Sequence, residues 1–150
     1  TWLNTLSLHD ALPISAYQDI LDYVGVKGEL GKVVAGGAMM GPAVENLSYP
    51  TTKTTSGLIM LSAAAAEPPQ VNPCIRCGRC VEYCPMGLEP VEVNQAYAAR
   101  DVQELGKLHV DYCFNCGSCT FVCPAKRPCT QMMGLAKAFY LGEIKKGGNK

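Results

Sequence analysis

The sequence predicts an α+β chain in two parts, a small mixed module followed by a mainly helical, cysteine-bearing one. Three observations support this. Two short strand-like runs, residues 32–35 and 57–61, share the first half with a segment of helical spacing. A stretch of alanine and proline from Ser62 to Pro73 separates that half from the next. Eight of the nine cysteines then fall into two runs set among helix-forming sequence.

The first segment is anomalous. Thr5 to Ile14 reads T-L-S-L-H-D-A-L-P-I, which resembles, residue for residue, the translation of a widely used sequencing-library adapter. Residues 1–15 are therefore expected to be adapter-derived and are set aside from fold reasoning, and the chain is expected to be a fragment that lacks its native N-terminal part. The competing reading of this segment is a short amphipathic helix capped by Ser7. From Ala16 onward the pattern is that of a protein. Ala16, Ile20, Leu21 and Val24 keep helical spacing, and Gly25 or Gly28 can end that helix. Lys32-Val33-Val34-Ala35 and Gly57-Leu58-Ile59-Met60-Leu61 are the strand candidates, the second entered from the threonine-rich segment 51–56. Residues 16–62 are thus one small α+β unit, 63–72 a linker and 73–142 the cysteine-bearing unit. Residues 143–150 form a basic tail, read as a solvated helix end.

With 13 basic and 13 acidic side chains the formal charge is zero, so no basic footprint for nucleic acid is present. The longest apolar stretch, Gly57 to Ala66, is interrupted by Ser62 and falls well short of the about 20 residues a membrane helix needs. Membrane association would have to come through a partner.

Cys74, Cys77, Cys80 and Cys84 precede Pro85, and Cys113, Cys116, Cys119 and Cys123 precede Pro124. This is C-x2-C-x2-C-x3-C-P, the spacing of two-cluster bacterial ferredoxins, present twice. Three cysteines at steps of three let a tightly wrapped chain bring three thiolates to three irons of one cubane. The fourth points away, and the proline after it forces a turn, so each fourth cysteine serves the other run's cluster. Cluster I is expected on Cys74, Cys77, Cys80 and Cys123, and cluster II on Cys113, Cys116, Cys119 and Cys84. Gly78 and Gly117 leave room for backbone amides to approach the sulfurs. A disulfide framework has no use for three thiols in seven residues and would strand one of nine. A zinc site pairs two C-x2-C hooks and needs neither the third cysteine nor the proline. Cys129 lies outside both runs and reads as a small buried hydrophobe.

Between the runs, Pro90 can open a helix continued by Val91, Asn94, Gln95, Ala98 and Ala99. Asp101 and Glu104 have capping-box spacing for a second short helix ending near Gly106. Thr130 to Ile144 reads as a helix with Met133, Ala136, Phe139 and Tyr140 on a core-facing stripe. His109 reads as a surface or packing residue, since no ligand position is vacant. Arg76, Arg79, Lys126 and Arg127 lie near cluster I ligands, whereas cluster II has Glu82 near Cys84 and neutral Asn115 and Ser118 in its own run. Positive neighbours favour the more negative reduced state, so cluster I is expected to have the higher potential.

With these motifs placed, the chain resembles the C subunit of the Rnf/Rsx ion-translocating electron-transport complex. The likeness rests on P-C-I-R-C-G-R-C, C-P-M-G-L, C-G-S-C, V-C-P-A-K, G-G-A-M-M-G and the segment from Thr52 to Leu61, and covers residues 16–142. It implies that residues 16–62 end a soluble-ligand-binding β-grasp-like module and that 73–142 form a helical ferredoxin-type domain with two 4Fe-4S clusters. It further implies a redox subunit, without a transmembrane helix, on the cytoplasmic face of the bacterial inner membrane. The partners would be other subunits of a complex coupling electron transfer between NADH and ferredoxin to ion movement. FMN and NADH belong to family parts upstream of this chain, so no residue here is assigned to them. Arg127 and Cys129 depart from the apolar sequence expected after C-P-A-K. Two other readings are a cobalamin-reducing flavoprotein of bacterial microcompartments, similar in its β-grasp and cluster regions, and a stand-alone two-cluster ferredoxin.

Overall fold

The computed structural model describes residues 4–7, 14–26 and 28–147, with side chains outside 4–7 and 147. The chain divides into two compact units, Thr1–Pro68 and Pro69–Lys150.

In the first unit, β1 (Asn4–Ser7), β2 (Leu30–Ala35) and β3 (Gly57–Ser62) make an antiparallel sheet in the order β1-β3-β2. Val33 stands opposite Met60 and Val34 opposite Ile59, with an irregularity between Leu30 and Lys32. β3 is central and buried along its first four residues, as its uninterrupted apolar run requires. β1 lies inside the segment read as adapter-derived. An exposed strand edge accepts any extended backbone, so this pairing carries no information about the segment's origin. The rest of that segment up to residue 13 lies outside the described residues.

Helix α1 (Tyr17–Val24) ends where predicted, with Gly25 at φ 71° donating its N–H to the Leu21 carbonyl. Tyr17, Ile20 and Leu21 pack with Val33, Leu58 and Met60 into the core of this unit. The alanine run read as linker is instead a turn of helix, α2 (Ala63–Ala66). Alanine has the highest helix propensity, and Gly31 lets α2 close on β2: a Cβ there would stand 2.6 Å from the Ala63 Cα.

The second unit is helical: α3 (Arg79–Glu82), α4 (Pro90–Ala98), α5 (Val102–Lys107), a 3-10 turn at Val110–Tyr112, α6 (Ser118–Phe121) and α7 (Cys129–Gly147). Pro90 opens α4, where its missing N–H costs nothing. Asp101 caps α5 by accepting the Glu104 N–H at 2.9 Å, but the Glu104 carboxylate pairs with Lys107 at 2.8 Å, so only half of the capping box forms. Leu88, Val93, Ala96, Leu105, Val110, Met133 and Ala136 form the core, with Phe139 and Tyr140 packed against it. The predicted stripe on α7 therefore faces inward. Tyr97 of α4 meets Phe139 of α7 edge-on at 5.9 Å, and the Arg100 guanidinium lies over both rings at 4.7 and 4.9 Å. α7 runs on through the basic tail as far as Gly147, where Lys146 pairs with Glu143 at 2.7 Å. No helix of the described residues is long and apolar enough to cross a membrane.

Candidate metal centre

The two cysteine runs are the same structure built twice, each position 39 residues from its counterpart. Arg76 (φ 52°) and Gly78 (φ 76°) match Asn115 (φ 57°) and Gly117 (φ 88°). The left-handed glycines turn each chain from its cysteine loop into a short helix, α3 or α6. Val81 and Glu82 donate to the Gly78 carbonyl, as Thr120 and Phe121 donate to that of Gly117. After each fourth cysteine the chain turns again, through Gly87 (φ 64°) or Lys126 (φ 54°), with N–H bonds to the Cys84 and Cys123 carbonyls. It then enters α4 or α7.

This doubled path gathers the thiols in a crossed arrangement. One cavity, of about 300 Å³, is lined by Cys74, Cys77, Cys80 and Cys123. A second, narrower at about 20 Å³, is lined by Cys84, Cys113, Cys116 and Cys119. Each holds three cysteines of one run and the last of the other. Among the described residues, no three His, Cys, Asp or Glu side chains converge closely enough to hold a single metal ion. A lone zinc needs all its sulfurs at about 2.3 Å from one point. A cubane gives each thiolate its own iron and needs no such convergence.

The donors fit a 4Fe-4S cluster. Both walls are thiol-rich and free of carboxylate, and N–H groups aim at sulfur: Arg76 N–H to Cys74 Sγ at 3.4 Å and Leu88 N–H to Cys84 Sγ at 3.3 Å. Asn94 Oδ1 is buried without a hydrogen-bond partner, and Asn94 lies on the first cavity's wall. Burial pushes the Cys80 and Cys113 thiols up, partly countered by backbone N–H groups and, at Cys113, by Lys137. Iron binding must therefore supply the deprotonation.

The surroundings differ more than the backbones. In the second run, Ser118 Oγ lies 3.4 Å from Cys116 Sγ, Asn115 Oδ1 3.4 Å from Cys113 Sγ, and Thr130 Oγ1 3.4 Å from Cys119 Sγ. Thr120 Oγ1 stands 2.8 Å from Thr130 Oγ1 and accepts the Thr130 N–H, also at 2.8 Å. A thiolate only accepts, so once deprotonated Cys119 draws the Thr130 hydroxyl proton, and Thr120 in turn donates to Thr130. Lys137 reaches from α7 to donate to the Cys113 carbonyl at 2.7 Å. The first run has Arg79, Val81 and Val91 where the second has Ser118, Thr120 and Thr130. Its cations Arg76 and Arg79 are exposed, as is Lys126 after the second run. With the Gln95 amide turned to satisfy its neighbours, Gln95 accepts from Arg76 at 3.1 Å and donates to Glu92 at 3.2 Å.

Residues 73–126 match the family model of the 4Fe-4S dicluster domain. The chain carries a 4Fe-4S dicluster domain. Around it the chain is similar to the C subunit of the ion-translocating oxidoreductase complex of Rhodobacter capsulatus, 40% identical over 84 residues, which are 56% of this chain and 16% of that protein. It is also 40% identical over 77 residues, 51% of this chain and 17% of the relative, to the C subunit of the proton-translocating ferredoxin:NAD(+) oxidoreductase complex of Clostridium ljungdahlii. The C subunit of the Na(+)-translocating ferredoxin:NAD(+) oxidoreductase complex of Acetobacterium woodii is 36% identical over 87 residues, 57% of this chain and 19% of that one. The likeness to the Rnf family read from the motifs is borne out over this region. The chain spans less than a fifth of the length of these relatives.

Outside the ligand set, Cys129 is buried and lines the first cavity of the dicluster domain. Burial, then the neighbouring Cys123, Cys119 and Cys80, push its thiol up to about 12, as suits a packing residue. His109 is exposed and stacks on Tyr112 at 5.4 Å. The α4 residues Val91, Asn94, Gln95 and Ala98, predicted only as helix, line the first cavity, while Val93 and Ala96 face the core. Sequence reasoning missed Thr120, Thr130 and Lys137 as neighbours of the cysteine loops. Laying the two runs over each other at their offset exposes the two threonines.

Proposed function

We propose that residues 73–142 bind two 4Fe-4S clusters and relay electrons within a larger, membrane-associated ion-translocating oxidoreductase. Cluster I takes Cys74, Cys77, Cys80 and Cys123; cluster II takes Cys113, Cys116, Cys119 and Cys84. The observation that carries this reading is the pair of cavities, each lined by three cysteines of one run and the fourth of the other. When bound, each cluster would accept and release one electron at a time. The chain supplies the rest: thiolates to hold the irons, N–H and O–H donors to stabilise sulfur charge, and a shared core that fixes the two sites together.

The relatives' names support a place in a complex that couples electron transfer between ferredoxin and NAD to ion movement. In this reading the partners are the other subunits and a ferredoxin-type protein, and the chain is peripheral on the cytoplasmic face of the membrane. Residues 16–62 are the end of a β-grasp-like module, 143–150 a basic tail that begins within α7, and 1–15 adapter-derived. FMN and NADH would bind elsewhere in the full subunit. Anaerobic reconstitution of the chain tests the reading, with iron and sulfide counted and spectra taken after reduction. Two 4Fe-4S clusters per chain are expected. A single zinc, or iron at half that content, would overturn it.

A further inference from the structure

Besides the two thiol-lined cavities, the dicluster domain has an open groove of about 700 Å³ between α3 and α6. Its walls are Arg79, Glu82 and Tyr83 on one side, and Phe121, Val122, Cys123, Pro124 and Lys126 on the other. Three features set it apart. Cys123 lines both this groove and the first cavity, so a molecule seated in the groove is one side chain away from the cluster I ligand set. Its rim presents two large aromatics to solvent, Phe121 at 77% and Tyr83 at 56% exposure, where a soluble surface normally carries polar groups. The charge is lopsided: Arg79 and Lys126 on the rim, with Arg76 and Arg127 on the adjoining cavity wall, oppose Glu82.

Lys126 adds a fourth argument. It occupies the left-handed turn that Gly87 fills in the first run. A lysine there bears a backbone cost that glycine avoids, which is compatible with selection for its charge at the groove's edge.

We infer that this groove is the docking site of a small acidic electron-transfer protein, and that cluster I is the port through which electrons cross between the two. The inference rests on the relay reading above. Aromatics at the centre of the contact supply the buried apolar area, and the cations steer a negative face into place. One electron crosses in each encounter; the donor is oxidised and the acceptor reduced, with no bond formed or broken and no proton moved. The cavity of cluster II is narrower, and no charged side chain lines it. It suits an inward relay station.

The test uses the full chain with its clusters reconstituted, and a small acidic 2Fe-2S ferredoxin as probe. Binding is measured by titration, and electron uptake by stopped flow. Binding is expected to saturate and to weaken as salt rises toward about 0.15 M, where the Debye length falls to about 8 Å. Phe121→Ala combined with Lys126→Glu is expected to weaken binding by about tenfold or more. The substituted chain should still load both clusters and still be reduced by photoreduced lumiflavin, a small reductant that needs no docking site, since neither residue holds a cluster. Loss of cluster loading in the unsubstituted chain would sink the relay reading itself. Normal loading and lumiflavin uptake without ferredoxin binding, or binding that ignores both substitutions, would overturn the docking site alone. So would binding to vesicles of anionic lipid in place of the acidic protein.

Discussion

The two cysteine runs share one backbone and differ in nearly everything that touches sulfur. At the first, Arg76, Arg79 and Arg127 line an open cavity, and Arg76 and Arg79 are exposed. At the second, an amide and two hydroxyls lie 3.4 Å from three different sulfurs, and a half-buried lysine is tied to the Cys113 carbonyl. Exposed charges act through solvent and are screened within about 10 Å at moderate salt. A hydroxyl that donates directly to a thiolate, as Thr130 can to Cys119, is not; the Asn115 contact is through an amide oxygen, which only accepts. The comparison teaches that a repeated cysteine motif fixes the backbone path, while the residues between and after the cysteines decide what meets the sulfurs. It also qualifies the expectation from charge alone, which credited cluster I with the higher potential without seeing the donors at cluster II.

The largest effect expected is one that erases the comparison. Leu105 is fully buried in the core both runs share, and Leu105→Ala should cost about 2–5 kcal/mol. Urea unfolding followed by absorbance should show both clusters lost together at a lower midpoint; loss of one with retention of the other would mean that the core is not shared. Next is Thr130→Val, which removes the hydroxyl but keeps the shape. The potential of cluster II alone should fall, by on the order of tenfold in the reduced-to-oxidised ratio at fixed potential, or about 59 mV. Thr130→Ser should restore it. A redox titration read by electron paramagnetic resonance checks this, and equal shifts in both clusters would count against a local donor.

Arg76→Gln with Arg79→Gln should lower cluster I by less than that, and the shift should shrink as salt is added. An effect indifferent to salt would mean that these side chains are not solvated. The smallest effect is that of Cys129→Ala, which should leave both clusters loaded. Its thiol keeps its proton in the fold up to about pH 12, against about 9 for an ordinary cysteine. A raised folded value stabilises below the unfolded pKa and is lost as pH rises through the folded one. The wild-type chain should thus lose stability relative to Cys129→Ala between about pH 9 and pH 12, measured by denaturation at stepped pH.

Much of this was legible in the sequence, for identifiable reasons. The ligand runs, Pro90 at the head of α4, Gly25 at the end of α1 and the apolar run of β3 are local signals, each set by chemistry within a few residues. The alanine run at 63–66 was misread because composition suggested a linker, whereas propensity and the small Gly31 beside it favour a helical turn. The Thr120–Thr130 pair is a contact across ten residues that neither periodicity nor ligand spacing encodes. The half-formed capping box failed because Glu104 found Lys107 on its own helix, a choice between two local partners that spacing cannot make.

The central claim is that the ligands cross between runs, and it can be tested on a chain reduced to one cluster. Cys113→Ala with Cys116→Ala should abolish cluster II and leave cluster I. On that background Cys123→Ala, though it lies in the second run, should destroy or strongly perturb the remaining cluster's signal, and Cys84→Ala should leave it unchanged. The reverse outcome, damage from Cys84→Ala and none from Cys123→Ala, would contradict the crossed assignment.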